Sequence, residues 1–287
     1  MQNRLLFVLG LLTLATPSFA ESVANTSGAS TASSDVATSS ILDRLYLGYF
    51  GIFHGPELTN LSSPYTPDRK GYEPKKAFSD GTNNMGFDSE LTAAYMLTKD
   101  VGIGPYVQFY AFPVQGYGIT MGDVGIKTFD RHFIKTPQLN VYANLILEAP
   151  VNYDKERGVN FKVKMTPNYR YSFTGTRFAT GMWTEETFYF GASDKIANNK
   201  QMKLDFLPYV SYQVAPKWAL NLTYEYETDH MAGKSNFDFT RYQNDIMPGF
   251  VYSIAPTVIV NPYLQFMTTE KIAIDRSSIG ATISASI

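Results

Sequence analysis

The sequence predicts an all-β chain closed into a transmembrane, up-and-down antiparallel barrel of about twelve strands, with ten and fourteen as the neighbouring counts. Three features predict it. Side chains alternate with a period of two over long stretches, the stretches exceed ordinary strand length, and the connections alternate between short and long.

The period is clearest in VNFKVKMTPNYRYSF, residues 159–173. Val159, Phe161, Val163, Met165, Pro167, Tyr169 and Tyr171 fall on one parity; Asn160, Lys162, Lys164, Thr166, Asn168 and Arg170 fall on the other. Successive strand side chains point to opposite faces, so one face is apolar and the other carries three cations. The same alternation sets Leu139, Val141, Ala143, Leu145 and Leu147 against Gln138, Asn140, Tyr142, Asn144 and Glu148. It recurs with Met202, Leu204, Phe206, Pro208, Val210, Tyr212 and Val214, with Trp218, Leu220, Leu222, Tyr224 and Tyr226, and with Ile279, Ala281, Ile283, Ala285 and Ile287.

These runs extend over roughly nine to thirteen residues, beyond the usual strand of about five or six and matched to a tilted crossing of a bilayer. Short turns fall at Thr98-Lys99-Asp100, Lys135-Thr136-Pro137, near Gly175, at Ala215-Pro216-Lys217 and at Ala255-Pro256. Longer polar loops separate them, about 53–83, 113–121, 150–158, 193–200, 231–236 and 268–276. Counting the runs between gives strands near 43–53, 84–97, 101–112, 122–134, 138–149, 159–173, 178–192, 201–214, 217–229, 237–254, 257–267 and 277–287. An even count returns both ends of the barrel to one side of the membrane. Two hairpin units also resemble each other: YMLTKDVGIGPYVQFY (95–110) and YSIAPTVIVNPYLQFM (252–267) share an aromatic, a short turn, a β-branched run and Pro-Tyr-apolar-Gln-Phe.

Residues 1–20 read as a cleaved secretory signal: Arg4, an apolar run from Leu5 to Ala15, Pro17, then Ser18-Phe19-Ala20. The apolar run is too short for a membrane helix, which needs about twenty residues. Residues 21–41, rich in Ser, Thr and Ala, read as a flexible periplasmic leader, and 42–287 as the barrel. With Cys 0, disulfides, thiolate metal sites and Cys nucleophiles are excluded. A net charge of -2 gives no reason to expect nucleic acid as a partner.

Lys162 and Lys164 on a lipid-facing surface would each cost up to about 2–4 kcal/mol near the midplane, so the polar parity is placed inside and the apolar parity on lipid. The inward, pore-lining set is then Asp88, Glu90, Lys127, Glu148, Lys162, Lys164, Arg170, Lys203, Asp205, Glu225, Glu227, Arg241 and Asp245. Tyr95, Tyr171, Tyr212, Trp218 and Tyr252 lie near short turns on the apolar parity, where interfacial rings anchor a barrel at headgroup level. Phe87, Phe109, Phe161, Tyr224, Tyr226 and Phe266 supply a second girdle at the loop ends.

Over residues 42–287 this pattern resembles the Gram-negative outer-membrane β-barrels, which include porins and substrate-specific channels. The resemblance implies an outer-membrane location, passive passage of small hydrophilic solutes, and contacts with outer-membrane lipid and the outer-membrane assembly machinery. It implies no cofactor and no metal, and it leaves the oligomeric state open. Members commonly finish on an aromatic residue that assists assembly, whereas this sequence ends on Ile287.

Two other classes stay open. Charges of both signs can pair across a narrow lumen and fill it, leaving a non-conducting barrel that serves as surface receptor or structural protein. A barrel hydrolase at the outer face needs a histidine beside a nucleophile or carboxylate, and Asp229-His230 is the one suggestive pair, although adjacent strand residues face opposite ways. His54 and His132 show no obvious partner, and phosphate-binding glycine loops are missing. The first long loop carries Lys70, Lys75 and Lys76 and is read either as an inward constriction or as a surface loop.

Overall fold

The computed structural model describes residues 41–59, 61, 85–112, 118–151, 153–191, 200–235, 238–268 and 277–287. The readings of residues 1–40, and of Lys70, Lys75 and Lys76 in the first loop, lie outside them. A 3-10 turn, Ile41–Arg44, leads into β1 (Leu45–Glu57). Then follow β2 (Gly86–Met96), β3 (Val101–Phe112), β4 (Gly118–Lys135), β5 (Leu139–Ala149), the one-turn helix α1 (Tyr153–Glu156), β6 (Val159–Met165), β7 (Asn168–Ser172) and β8 (Phe178–Gly191). The chain ends with β9 (Lys200–Ala215), β10 (Trp218–Met231), β11 (Phe239–Ala255), β12 (Val258–Met267) and β13 (Ser277–Ser286). Among the described residues no helix is long and apolar enough to cross a membrane.

Each strand pairs antiparallel with its neighbours, and β1 pairs with both β2 and β13, so the sheet closes on itself. Closure removes the unpaired edges that a flat sheet would expose. The wall has twelve strands, because β6 and β7 are halves of one. Leu145 pairs with Met165 and Tyr142 with Asn168, while Glu186 pairs with Met165 and Trp183 with Asn168, so the register runs unbroken past residues 166 and 167. Pro167 has no N–H for the ladder, which is why a single run over 159–173 is seen as two segments. Its carbonyl still accepts from the Thr184 N–H at 2.5 Å.

The predicted short turns are present, with Leu97 N–H donating to Val101 O (2.8 Å), Thr136 N–H to Leu139 O (2.8 Å) and Thr176 N–H to Phe173 O (3.1 Å). Thr98 and Thr136 hydroxyls cap the first two by accepting from the backbone N–H groups of Val101 and Leu139, both at 2.9 Å. Gly175, at φ 73, supplies the left-handed residue of the third. Some strands run longer than the pattern indicated, notably β4 with 18 residues against 122–134 and β9 with 16 against 201–214. Register shifts interrupt the ladders of β3 with β4, β4 with β5 and β10 with β11; those of β3 with β4 and β10 with β11 add a single residue and break the alternation there, whereas that of β4 with β5 adds two and keeps it.

The two faces differ as the alternation requires. Leu45, Leu47, Leu91, Ile103, Ile126, Leu147, Val210, Leu220 and Leu222 are exposed, and they sit on the outward parity. Burial instead falls on the inward parity, with Ser211, Asn221, Thr223, Asp205 and Lys164 among the buried polar residues. An exposed apolar exterior around a buried polar interior inverts the arrangement of a soluble domain.

Candidate functional site

The interior can be identified from contacts alone. Lys164 on β6 reaches Glu90 on β2 at 3.1 Å, although β3, β4 and β5 lie between those strands. In a closed wall such side chains meet through the enclosed space. Directly paired residues of an antiparallel ladder share a face, so the inward face can be followed around the barrel from this pair.

Lys164 Nζ also stands 3.1 Å from Glu148 Oε1 and donates to the Tyr106 hydroxyl at 3.2 Å. Tyr106 in turn donates to Glu90 at 2.7 Å, and Lys127 Nζ lies 4.0 Å from the other Glu90 oxygen. Beside this group, Gln108 donates to Asp88 at 3.0 Å. Nearer the long-loop end, Lys162 is held by Asp123, by Glu148 at 3.3 Å and by Asp154 of α1 at 3.1 Å. Six of the sequence-derived residues, Asp88, Glu90, Lys127, Glu148, Lys162 and Lys164, thus come together on one side of the interior.

A second group forms on β8 to β11. Glu185 pairs with Asp205 and Asp205 with Glu227; Lys203 Nζ sits 3.4 Å from Glu227 Oε2 and 3.9 Å from both Glu185 Oε1 and Asp205 Oδ2. Glu225 pairs with Asp245, which accepts a hydrogen bond from Gln265. Carboxylate oxygens of Asp205, Glu225 and Glu227 lie within 4.8 Å of one another, close enough for one divalent cation to bridge. The ammonium group of Lys203 already stands beside two of them.

The remaining assignments sort as follows. Arg170 is half-buried on β7, paired with Asn140 and Gly181 and away from both groups. Arg241 pairs with Thr228, beyond a register shift that follows Glu227. His132 is not partnerless, as its spacing suggested: its Nδ1 lies 2.7 Å from Asp100 Oδ1 and its Nε2 3.0 Å from Lys135 Nζ, tying two turns together. Asp229 pairs with Lys200 at 2.6 Å, while His230 Nδ1 is 3.1 Å from the carbonyl of Asp238. The aromatics named near the short turns cluster at one end, with Trp218 4.3 Å from Tyr252, Tyr212 4.8 Å from Phe178 and Tyr171 5.1 Å from Phe173 between ring centroids. Tyr95 accepts from Arg44 at 3.3 Å at the same end.

The sequence reading missed three kinds of interior residue. Tyr106 and Gln108 were legible, because Gly102, Gly104, Tyr106, Gln108 and Tyr110 alternate with Ile103, Pro105, Val107 and Phe109. Asp123 was legible too, since it shares the parity of Gly125 and Lys127 on β4. An apolar interior group was not expected at all: Ala94, Phe129 and Tyr142 are buried together with Tyr46 and Met96 against them. Tyr46 on β1 and Phe129 on β4 meet across the interior in a tilted contact, ring centroids 5.1 Å apart, with the Arg131 guanidinium 4.7 Å above the Tyr46 ring. Gly102 makes room for Phe129, whose ring carbon would lie 2.5 Å from any Cβ there. One acid departs from the inward set: Glu186 pairs with Leu204 on the outward parity and accepts from Thr184 at 2.7 Å.

No protein-family description matches the sequence, and no curated protein matches it. Solved structures do. An outer membrane channel from Pseudomonas putida F1 superimposes with a TM-score of 0.50 at 12% identity, over 90% of this chain and 100% of that one. The likeness is one of fold, a closed antiparallel β-barrel. The NanC porin (TM-score 0.44, 9% identity, 84% of this chain and 98% of that one) and the KdgM porin (0.42, 8%, 84% and 97%) are more distant likenesses.

Proposed function

We propose that the protein is a bacterial outer-membrane channel through which small hydrophilic solutes diffuse passively, its inward polar residues lining the path. One observation carries this reading: a closed wall separates an exposed apolar exterior from an interior holding ion pairs and amides, such as Lys164 with Glu90 and Glu148. Lipid acyl chains satisfy the first surface and water the second. The rings near the short turns, Trp218 and Tyr252 among them, then lie at the headgroup level of the periplasmic leaflet. That the Pseudomonas putida protein is named a channel agrees with this reading, as the same wall can serve the same purpose.

The partners of the Asp229-His230 pair speak against the outer-face hydrolase, since Lys200 engages Asp229 and a backbone carbonyl faces His230. The test is conductance of purified, refolded protein in planar bilayers and solute flux into liposomes. Discrete conductance steps and osmotic swelling with small sugars or amino acids are expected; the absence of both from folded protein overturns the reading. A second reading, a non-conducting receptor or structural barrel, draws support from the side chains that meet across part of the interior. It predicts folded protein that inserts and stays electrically silent.

A further inference from the structure

The interior is built asymmetrically. Within the arc from β1 to β6, side chains of non-neighbouring strands meet at three heights: Tyr46 with Phe129 at the short-turn end, Glu90 with Lys164 in the middle, and Lys162 with Asp123 toward the long loops. Within the arc from β10 to β13, inward positions are mostly small or polar, such as Thr223, Gly249, Asn261, Gly280 and Thr282, while Ala219, Val251 and Ile259 are buried together along the wall near the short turns. Polar contacts there run sideways along the wall, from Gln265 to Asp245 on the adjacent strand and from Ser278 to Gln265 at 3.2 Å.

The hairpin repeat shows the contrast within one motif. Tyr106 and Tyr263 occupy equivalent positions, since Asp88 pairs with Tyr110 as Asp245 pairs with Met267. Tyr106 meets Glu90 and Lys164; the position equivalent to Glu90 is Met247, and Tyr263 instead lies over Gly280, where a Cβ would come within 2.4 Å of its ring. A ring laid flat over a glycine of the next strand keeps its bulk out of the central space.

We propose that the solute path is off-centre: it runs along the β10–β13 arc, and the packed β1–β6 arc forms a lengthwise half-partition that sets the bore. This rests on the channel reading, and the deciding experiment does not require conduction. The chain has no cysteine, so single cysteines can be placed at inward positions on both arcs, Thr282→Cys and Ser284→Cys on β13 and Asn144→Cys on β5. Asn144 is buried and donates to Thr166 at 2.8 Å within the packed arc.

Folded protein, verified by its heat-modifiable migration, is treated with a small trimethylammonium thiosulfonate, and labelling is followed by mass. The β13 cysteines are expected to react at least ten times faster than Asn144→Cys, and their adducts to lower the single-channel current. Equal labelling rates on the two arcs, or unreactive β13 cysteines in folded protein, overturn the off-centre path. Silent wild-type protein whose β13 cysteines label selectively leaves the asymmetric cavity standing and removes only the channel reading. A Lys164→Ala variant gives an independent readout, because loss of the partition at mid-height is expected to raise the conductance, and an unchanged value in conducting protein counts against it.

Discussion

Gln108 donates a hydrogen bond to Asp88 on the preceding strand, and Gln265 donates in the same way to Asp245. Both lie one hairpin apart from their acceptors, in ladders of the same register, within the repeat that the sequence shows at 95–110 and 252–267. The repeat is therefore a device for holding an inward carboxylate with an amide. Replacing Gln265 with Leu leaves Asp245, a fully buried side chain, short of a donor. Leaving a buried group unsatisfied costs about 1–3 kcal/mol, so urea unfolding of the folded barrel should show a loss of that size. The double variant Gln265→Leu with Asp245→Leu should recover part of it.

Lys162 holds three carboxylates, Asp123, Glu148 and Asp154, and is itself nearly buried. Removing one partner of a buried ion pair strands the other charges, at a cost of about 3–5 kcal/mol. Lys162→Met should therefore lower stability by that order, and the loss should shrink when Glu148→Gln is added. Reading both variants by unfolding in lipid vesicles separates a stranded charge from simple lost packing, because only the former is relieved by the second change.

The wall was legible because it depends on local chemistry: alternation fixes the faces and turn residues such as Thr98, Thr136 and Gly175 fix the hairpins. The interior was legible only in part. Glu90 and Lys164 could be placed on the inward face from parity, but their meeting across three strands is set by barrel curvature, which no local pattern encodes. Register shifts limit parity further along a strand: a single extra residue on β4, opposite Gln108 of β3, puts the positions before it out of step with the alternation that places Asp123 and Lys127 together. The Tyr46–Phe129 contact escaped for a different reason, since aromatic rings packed together inside the wall run against the rule that assigned the faces.

Adjacent residues on β10 provide the sharpest check of the two faces. Leu222 is exposed on the outward parity and Asn221 is buried on the inward one. A lysine on the lipid face costs about 2–4 kcal/mol near the midplane, so Leu222→Lys should destabilise the inserted barrel by that amount. Asn221→Lys, one residue away, should cost much less, because its ammonium group reaches water or the carboxylates beyond Thr223. Similar losses for both substitutions, measured by urea unfolding in vesicles, contradict the assignment of lipid and lumen.

Ion preference follows from how the inward charges are partnered. Lys162 and Lys164 each contact at least two carboxylates in the packed arc, so their charge is largely compensated where it stands. On β8 to β11, Glu185, Asp205, Glu225, Glu227 and Asp245 share the inward face with Lys203, an excess of acid facing the same space. Carboxylates that outnumber the cations along a water-filled path raise the local concentration of cations, an effect that salt weakens. Reversal potentials in a potassium chloride gradient should therefore fall on the cation side, most clearly at low salt. The double variant Glu225→Gln with Glu227→Gln should move them back toward zero, since Lys203 keeps Glu185 and Asp205 beside it and the fold is retained. Unchanged selectivity in that variant would place the ion path elsewhere than beside β10.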